Sequence, residues 1–473
     1  MRRIDVSHAR LTWRQWWVRW FALALIPPEV SRVLRDIDAN GGTAFVVGGC
    51  VRDLLLNRSP GDWDVATSLA PEQVIRIFAR TVPSGIEHGT VTVISGDRAV
   101  EVTTFRTEGG YSDHRHPDWV CFAKRLEDDL GRRDFTINAM ALDRCGSLVD
   151  PFGGVGDLAR RAIRTVGPPR KRFSEDALRM VRAVRFSAQL GFDIDESVIE
   201  SARENALLLR DVSAERIRSE LDRILLSRDP DRGMRLLQET RLLEQFWPEF
   251  TEGVGLEQND HHAYTVWEHS LFALQGMAGQ EGARLPLRLA ALLHDVAKPR
   301  CMSTDARGGR HFYNHHVVGA AVARRMLKRL RYDNRTVDTV THLVRHHMAL
   351  HHYPDMKDSA IRRLINRVGV QNMSDLIKLR IADREGSGTK HTPLSRGTLH
   401  LLRRIEKVLE EDSAFSLADL AVDGNDVMRV AGIRPSPAVG EILNQLMDEV
   451  LEDPALNTRP ALEERIKELI KDG

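Results

Sequence analysis

The stretch GGCVRDLLLNRSPGDWDVAT, residues 48–67, places two carboxylates two positions apart, Asp62 and Asp64. On a strand, residues i and i+2 project to one side, so the two acids share a face and repel unless a cation sits with them. Paired carboxylate oxygens suit Mg²⁺, a hard ion that takes phosphate oxygens in its remaining positions. Gly48 and Gly49 follow the apolar run AFVV at 44–47. With no Cβ, such a turn lets backbone N–H groups approach a phosphate. Arg52 adds a cation to the same segment. A solvated acidic strand end would account for the acids, but not for the glycine turn and arginine beside them.

A second group lies in SEDALRMVRAVRFSAQLGF, which reads as one helix with Ser174 at its N-cap and acids in its first turn. At about 100° per residue, Ala177, Val184 and Ala188 fall on the side of Val181, while Glu175, Asp176, Arg179 and Arg182 fall opposite. Asp176 and Arg179 are i,i+3 neighbours, near enough to act as one unit. A carboxylate beside a guanidinium sets an acceptor next to donors. Cytosine (N4 amino, N3) and adenine (N6 amino, N1) fit that pair. Uracil and guanine turn a carbonyl oxygen toward the carboxylate. A salt-bridged surface helix is the alternative. Arg185 sits nearer the apolar side, so a packing role for it stays open.

A third group is rich in histidine: VWEHS (His269), ALLHDVAKP (His294, Asp295), YNHHVVGA (His315, His316), VRHHM (His346, His347) and RIADRE (Asp383). Burying an adjacent His-Asp pair in an apolar helix is costly unless each finds a partner.

The elements that must carry these groups change character along the chain. Residues 28–167 read as α/β, with strands in TAFVVGG, WDVAT, GTVTVIS and AVEVTTF and helices in EVSRVLRDIDANG and PEQVIRIFAR. RTEGGYSDHRHPDW reads as a loop. From Ser174 onward the patterns are helical with almost no strand signal. We divide the chain into an N-terminal extension (1–27), a head (28–167), a neck (168–228), a histidine-rich helical domain (229–390) and a helical tail (391–473). The fold class is thus a mixed-sheet α/β domain followed by an all-α remainder. The 473 residues suit about three domains. With 68 Lys and Arg against 67 Asp and Glu, no global field draws a polyanion, so nucleic-acid binding would need local patches. PPRKRF and ARRMLKRLRYDNR are candidates. Cys50, Cys121, Cys145 and Cys301 lack metal spacing and point to a reducing, cytoplasmic setting. The Arg- and Trp-rich start has an apolar run, WFALALI, far short of the ~20 residues that span a bilayer. It reads as an extra capping helix or an over-long start, and no membrane partner is expected.

Gly-Gly-x-x-Arg-Asp followed by Asp-x-Asp resembles the nucleotidyltransferase domain of bacterial class II CCA-adding enzymes and poly(A) polymerases, within the polymerase-β-like superfamily. GIEHGTVTV (85–93), VEVTTFR (100–106), LEDDLGRRDFTINAMA (126–141), EDALRMVRAVRFSAQLGF (175–192) and the tail GNDVMRVAGIRPSPAVGEIL look like further blocks in the family's order. The resemblance implies template-independent addition of CCA to the 3′ end of tRNA from CTP and ATP, with pyrophosphate released. It implies that Asp62 and Asp64 bind Mg²⁺, with Glu101 as the third acid, and that Arg133 contacts the triphosphate. Asp176 and Arg179 would select the base, and Arg182 and Arg185 look like further nucleotide contacts. The loop at 106–119 is similar to one needed for terminal A addition, although Asp113-His114-Arg115-His116-Pro117 departs from the family's Asp-Gly-Arg-Arg-Pro. GTVTV and the RRD block fit CCA addition better than poly(A) polymerase; addition of only A or only CC is the alternative. The histidine-rich part resembles HD phosphohydrolases, which implies one divalent transition metal on His269, His294, Asp295 and Asp383. His316 stands where that family has Glu, and Ala297 where it has Gly. A metal-dependent phosphohydrolase with a nucleotide-binding front domain is the reading from another class. Oligomeric state is not legible.

Overall fold

The computed structural model describes residues 25–109, 119–258, 263–350, 356–388, 396–411 and 415–471. Most of the N-terminal extension, and Asp113 to Pro117 of the loop, lie outside the described residues. Two compact units divide the chain: Met1–Ile224 with Arg232–Phe246, and Leu225–Asp231 with Trp247–Gly473.

The first unit is built on seven strands: β1 (Ala44–Val47), β2 (Asp64–Thr67), β3 (Thr81–Gly85), β4 (Thr90–Ser95), β5 (Arg98–Thr104), and, after a separate hairpin of β6 (Arg106–Gly109) and β7 (Trp119–Phe122), β8 (Ala141–Asp143) and β9 (Leu148–Val149). Their spatial order is β3-β4-β5-β2-β1-β8-β9. β2 and β5 run parallel, and the other neighbours run antiparallel. The expected mixed sheet is therefore present. β3 and β8 were not legible as strands: β3 contains Pro83, and β8 ends a stretch that reads only as buried packing.

Helix α1 (Pro28–Ala39) buries Val30, Val33, Leu34 and Ile37, an i, i+3, i+4, i+7 stripe, and packs on β1 and β4. α2 (Gly49–Leu55) springs directly from β1, and α3 (Pro71–Ile77) starts on a proline that suits a first turn. Val47, Ala66 and Ala141 from the strands, with Phe105 between β5 and β6, form one apolar core with Leu126 and Leu130 of α4 (Leu126–Gly131).

The neck differs from expectation. Its helix is broken into α5 (Pro169–Glu175) and α6 (Leu178–Leu190), with Asp176 extended between them at φ −146°. Ser174 lies inside α5, where its hydroxyl donates to Lys171 O at 2.8 Å. Ala177 stands at the N-cap of α6, and Asp176 before it accepts Leu178 N on Oδ1 at 3.1 Å. α6 is also buried on nearly every side, so its polar residues are not a solvated face. α7 (Ala214–Leu225) supplies Arg216 and Glu220 to the same region.

Among the described residues the second unit is helical, as expected, apart from one hairpin of an exposed strand, Met302–Thr304, with the half-buried Arg310–Phe312. Its histidine-bearing helices are α8 (Val266–Ala278), α9 (Leu285–Leu293), α10 (His315–Arg329), α11 (Asn334–His346) and α12 (Val370–Gly386). The tail forms its own core, in which Val427 meets Leu446, Val450, Leu462 and Ile466.

Candidate active site and metal centre

The end of β1, the start of β2 and the middle of β5 assemble the head site. β1 stops at Val47, which pairs with Asp64 of β2, and Asp64 pairs with Glu101 of β5. Regular strand geometry begins at Asp64, so Asp62 sits in the turn before it rather than on the strand. The ladder still reaches back one residue, because Glu101 N donates to Trp63 O at 3.2 Å. Trp63 is buried, while Asp62 is exposed and Asp64 half-buried. Burial pushes the Asp64 carboxyl above its usual range; Arg133 opposes this, and the charges of Glu101 and Asp62 add to the rise. Three acids thus feel one another across β2 and β5, a cluster that a divalent cation would relieve.

Gly48 fits this site by geometry. Its φ is +82°, and a Cβ there would stand 2.7 Å from Arg133 Nη1 and 3.5 Å from Asp64 Oδ2. The turn therefore lets Arg133 lie over the backbone beside the acid. Asp129 holds Arg133 through Nη2 at 3.3 Å and holds Arg132 at 2.8 Å. Burial would raise the Asp129 carboxyl, but the two guanidinium groups overrule it and keep it low. Arg133 Nε is buried and makes no hydrogen bond, a donor suited to a phosphate oxygen. Gly48→Ala is expected to strain the backbone by about 1–2 kcal/mol and to push Arg133 aside. Titration with a nucleoside triphosphate should then show a raised Kd relative to the unaltered protein.

Arg52 is less available than the sequence suggests. It is committed to Asp53 at 2.8 Å and Asn138 at 2.8 Å, and lies over the Phe186 ring at 5.1 Å. Gly49 opens α2, whose first-turn N–H groups have no intrahelical acceptor.

Asp176 and Arg179 do not pair with each other. Asp176 Oδ2 takes Arg216 Nη2 at 2.8 Å. Arg179 Nη1 takes Glu175 Oε2 at 2.6 Å and Arg172 O at 3.2 Å, and its Nη2 donates to Arg132 O at 3.2 Å. Each side chain is held by a third party, and both keep spare capacity, since a carboxylate has about four acceptor sites and a guanidinium five N–H groups. Arg182 binds Asp134 Oδ2 through Nε at 2.9 Å and Nη2 at 2.7 Å. Arg185 is buried, bonded to Glu220 and Gln189, with its guanidinium 4.0 Å from the Phe186 ring centre. Burial pushes Arg185 down to about 10 despite Glu220. Packing, the open alternative for Arg185, is what this environment favours.

Asp134 locks the neck to the head. Burial alone would raise its carboxyl, yet Arg182 and Asn138 hold it down to about 2. A folded-state value below the unfolded ~3.9 means that its stabilisation is complete above ~4 and is lost as pH falls toward about 2. Asp134→Ala leaves Arg182 without this partner and is expected to cost about 3 kcal/mol, read from denaturant midpoints at pH 7. The difference should shrink in acid.

The second unit brings the histidines together. Thr265 and Glu268 form a reciprocal cap at the start of α8, which sets His269 in the next turn. Gly386 lets α12 close on α8, since a Cβ there would meet His269 O and Ala273 N at 2.9 Å. That approach carries Asp383 Oδ1 to 3.2 Å from His269 Nε2 and 3.7 Å from His294 Nε2. Arg380 takes the other Asp383 oxygen at 2.7 Å. Asp295 Oδ2 lies 3.2 Å from both His269 and His294, and 2.6 Å from Lys298 Nζ. The four residues read from sequence therefore converge, all buried. His315 and His347, noted but not assigned as ligands, join them at 3.3 and 3.7 Å from Asp295 Oδ1, whereas His316 is only half-buried. This chemistry fits a divalent metal: imidazole and carboxylate donors face inward, and the buried Asp295 Oδ1 accepts no hydrogen bond.

Three family models match stretches of this chain. Residues 44–164 match the poly A polymerase head domain, 191–253 a probable RNA and SrmB-binding site of polymerase A, and 260–385 the HD domain. A CCA-adding enzyme of Limosilactobacillus reuteri (strain DSM 20016) is 33% identical over 441 residues, 93% of this chain and 96% of that protein. The chain belongs to the family of CCA-adding enzymes. Another CCA-adding enzyme, from Lactobacillus delbrueckii subsp. bulgaricus, is 49% identical over 217 residues; that match covers 46% of this chain and only about half, 55%, of the relative. The crystal structure of Bacillus stearothermophilus CCA-adding enzyme in complex with CTP is similar with a TM-score of 0.71 at 29% identity, over 94% of this chain and 99% of that one. Thermotoga maritima CCA-adding enzyme complexed with tRNA_CCA shares the fold, with a TM-score of 0.61 at 19% identity over 96% and 98%. Among the described residues no helix is long and apolar enough to cross a membrane.

Proposed function

We propose that this chain adds CCA to the 3′ end of tRNA from CTP and ATP, releasing pyrophosphate, in the cytoplasm. The observation that carries the reading is the strand register that sets Asp64 between Glu101 and the Gly48 turn under Arg133. Mg²⁺ held by Asp62 and Asp64, with Glu101 beside them, would supply charge stabilisation to the attacking and leaving oxygens. The tRNA 3′ hydroxyl attacks the α-phosphorus, forming one P–O bond as the bond to pyrophosphate breaks. Arg133 receives triphosphate oxygens through its uncommitted Nε–H. The Gly48–Gly49 turn lets the phosphates come close to backbone, and Arg52 and Arg182 add positive charge behind it. Asp176 accepts the amino group of cytosine or adenine, while Arg179 donates to the adjacent ring nitrogen.

In this reading residues 28–167 carry the chemistry, 168–228 the base choice, 229–390 the HD-type site and 391–473 tRNA contacts. The similarity to a structure in complex with CTP supports the substrate assignment. The buried His269, His294, Asp295 and Asp383 support an accessory metal-dependent phosphohydrolase, acting on a phosphoester at an RNA end. The test is to incubate the protein with tRNA transcripts ending before, within and just short of CCA, giving each NTP in turn. C, C and A should be added in that order and addition should stop. Incorporation of U or G at comparable rates would reject the base-selection argument, and addition of A alone would favour a partial enzyme.

A further inference from the structure

We propose that Asp129 is a positioning residue that holds the Arg133 guanidinium off Asp64, which keeps that acid open to Mg²⁺ and Arg133 open to the triphosphate. The inference rests on the reading of Asp64 as a metal ligand and Arg133 as a triphosphate contact. Asp129 itself touches neither.

Arg133 stands between two carboxylates. A Cβ at Gly48 would lie 2.7 Å from Arg133 Nη1 and 3.5 Å from Asp64 Oδ2, so the guanidinium and the acid flank one glycine. A guanidinium so near a carboxylate tends to close on it through paired bonds. Here it pairs elsewhere: Arg133 Nη2 donates to Asp129 Oδ2 at 3.3 Å, while Asp64 feels Arg133 through charge. A closed pair with Asp64 would occupy the oxygens that a metal ion needs and turn the guanidinium from the phosphates.

The surroundings of Asp129 suit an anchor. It is buried on α4, between Leu126 and Leu130 of the apolar core. Its Oδ1 accepts Arg132 Nε at 3.1 Å and Nη2 at 2.8 Å, which fixes the carboxylate and leaves Oδ2 for Arg133. The turn that follows is pinned by other contacts. Gly131 O accepts Arg172 Nη1 at 3.2 Å, Arg132 O accepts Arg179 Nη2 at 3.2 Å, and Asp134 holds Arg182 at 2.7 Å. The backbone there has supports besides Asp129, so a change in its side chain acts on where Arg133 points. An amide has one acceptor oxygen and an NH2 group. With Arg132 on the oxygen of Asp129→Asn, the NH2 faces the donors of Arg133, which is released toward Asp64.

The test is a calorimetric titration of the full chain with CTP, without tRNA, at a series of free Mg²⁺ concentrations. Asp129→Asn is expected to raise the Mg²⁺ midpoint for CTP binding about tenfold, the scale of one charge-assisted bond. Arg133→Ala should weaken CTP by a similar factor and leave the midpoint at or below the wild-type value. In Asp129→Asn combined with Arg133→Ala, the midpoint should return to that of Arg133→Ala alone, a rescue that a merely structural defect does not show. An unchanged midpoint in Asp129→Asn, or a rise that persists in the double variant, overturns the proposal. Unaltered CTP affinity in Arg133→Ala would overturn the triphosphate reading itself, and the midpoint then shows separately whether Asp129 guards Asp64. If Asp129→Asn does not fold, Arg133→Lys decides. Asp129 should keep the lysine's ammonium, so CTP affinity falls while the midpoint stays at the wild-type value. A raised midpoint, with the lysine drawn to Asp64, overturns the proposal.

Discussion

Asp64→Asn is expected to lower nucleotide transfer by roughly three orders of magnitude while leaving the metal-free protein at least as stable as before. Both halves follow from the same surroundings. Burial raises the Asp64 carboxyl, Arg133 opposes that, and Glu101 and Asp62 push it further up. For an acid whose folded value is raised, the folded state holds the proton more tightly than the unfolded one. Stability is then highest at low pH and falls as pH rises through the unfolded value. At neutral pH the ionised Asp64 therefore costs folding energy, and the neutral amide removes that cost. The wild type should melt higher when Mg²⁺ and CTP are added, and the variant should lose much of that shift. A transfer rate in Asp64→Asn within tenfold of wild type, at saturating CTP, would remove Asp64 from the chemistry. A variant with normal Mg²⁺-dependent melting but no transfer would instead assign it a role outside metal binding.

The second large effect concerns which base is accepted. Asp176→Ala is expected to lose about 1–3 kcal/mol of discrimination, the scale of one well-placed base-edge pair. That is roughly a ten- to hundredfold rise in U or G incorporation relative to C. The same change removes the cap on Leu178 N, at about 1 kcal/mol of stability. The two consequences separate by measurement: competition between NTPs reports the first and a denaturant midpoint the second. Arg216→Ala provides a control. It leaves the Asp176 cap in place but removes the guanidinium that holds Oδ2. If base choice depends on where Asp176 points, Arg216→Ala should relax it without the loss of the cap. Unchanged discrimination in Asp176→Ala would mean that the bases are chosen elsewhere.

How far the sequence led depends on whether a feature is local. The strands around Asp62, Asp64 and Glu101 were legible because apolar runs, glycines and acids recur at short spacing. The regular strand begins only at Asp64 because Trp63 and Asp62 lie in the turn that delivers the chain to β2. The break between α5 and α6 was not legible, since nothing in SEDALRMV forbids a continuous helix. Tertiary partners decide it: Arg216 from α7 and Arg132 O from the head take the atoms that a simple i,i+3 pair would have used. Arg185 illustrates the limit of a helical wheel, because α6 is enclosed on almost all sides and has no solvent face to assign.

The histidines show a signal that was present but unread. In α10 the buried positions run His315, Gly319, Val322, Met326, so His315 is in phase with the core and His316 is not. In α11 Val340 and Val344 set the phase that reaches His347 rather than His346. The helical period thus distinguishes the inward member of each adjacent pair. The position of Asp295 between the histidines was not legible, because it depends on α9, α10 and the end of α11 meeting at one point.

The central claim is that the acids at the start of β2 and in the middle of β5 grip magnesium against a nucleoside triphosphate. The measurement closest to it is a crystal of the protein grown with Mn²⁺ in place of Mg²⁺ and a non-hydrolysable CTP analogue, with the ions located by their anomalous scattering. The account predicts ion peaks bridging Asp62 and Asp64 to the phosphate oxygens, with Arg133 on the triphosphate. Bound analogue with no ion near either carboxylate, and both side chains turned to solvent, would contradict it.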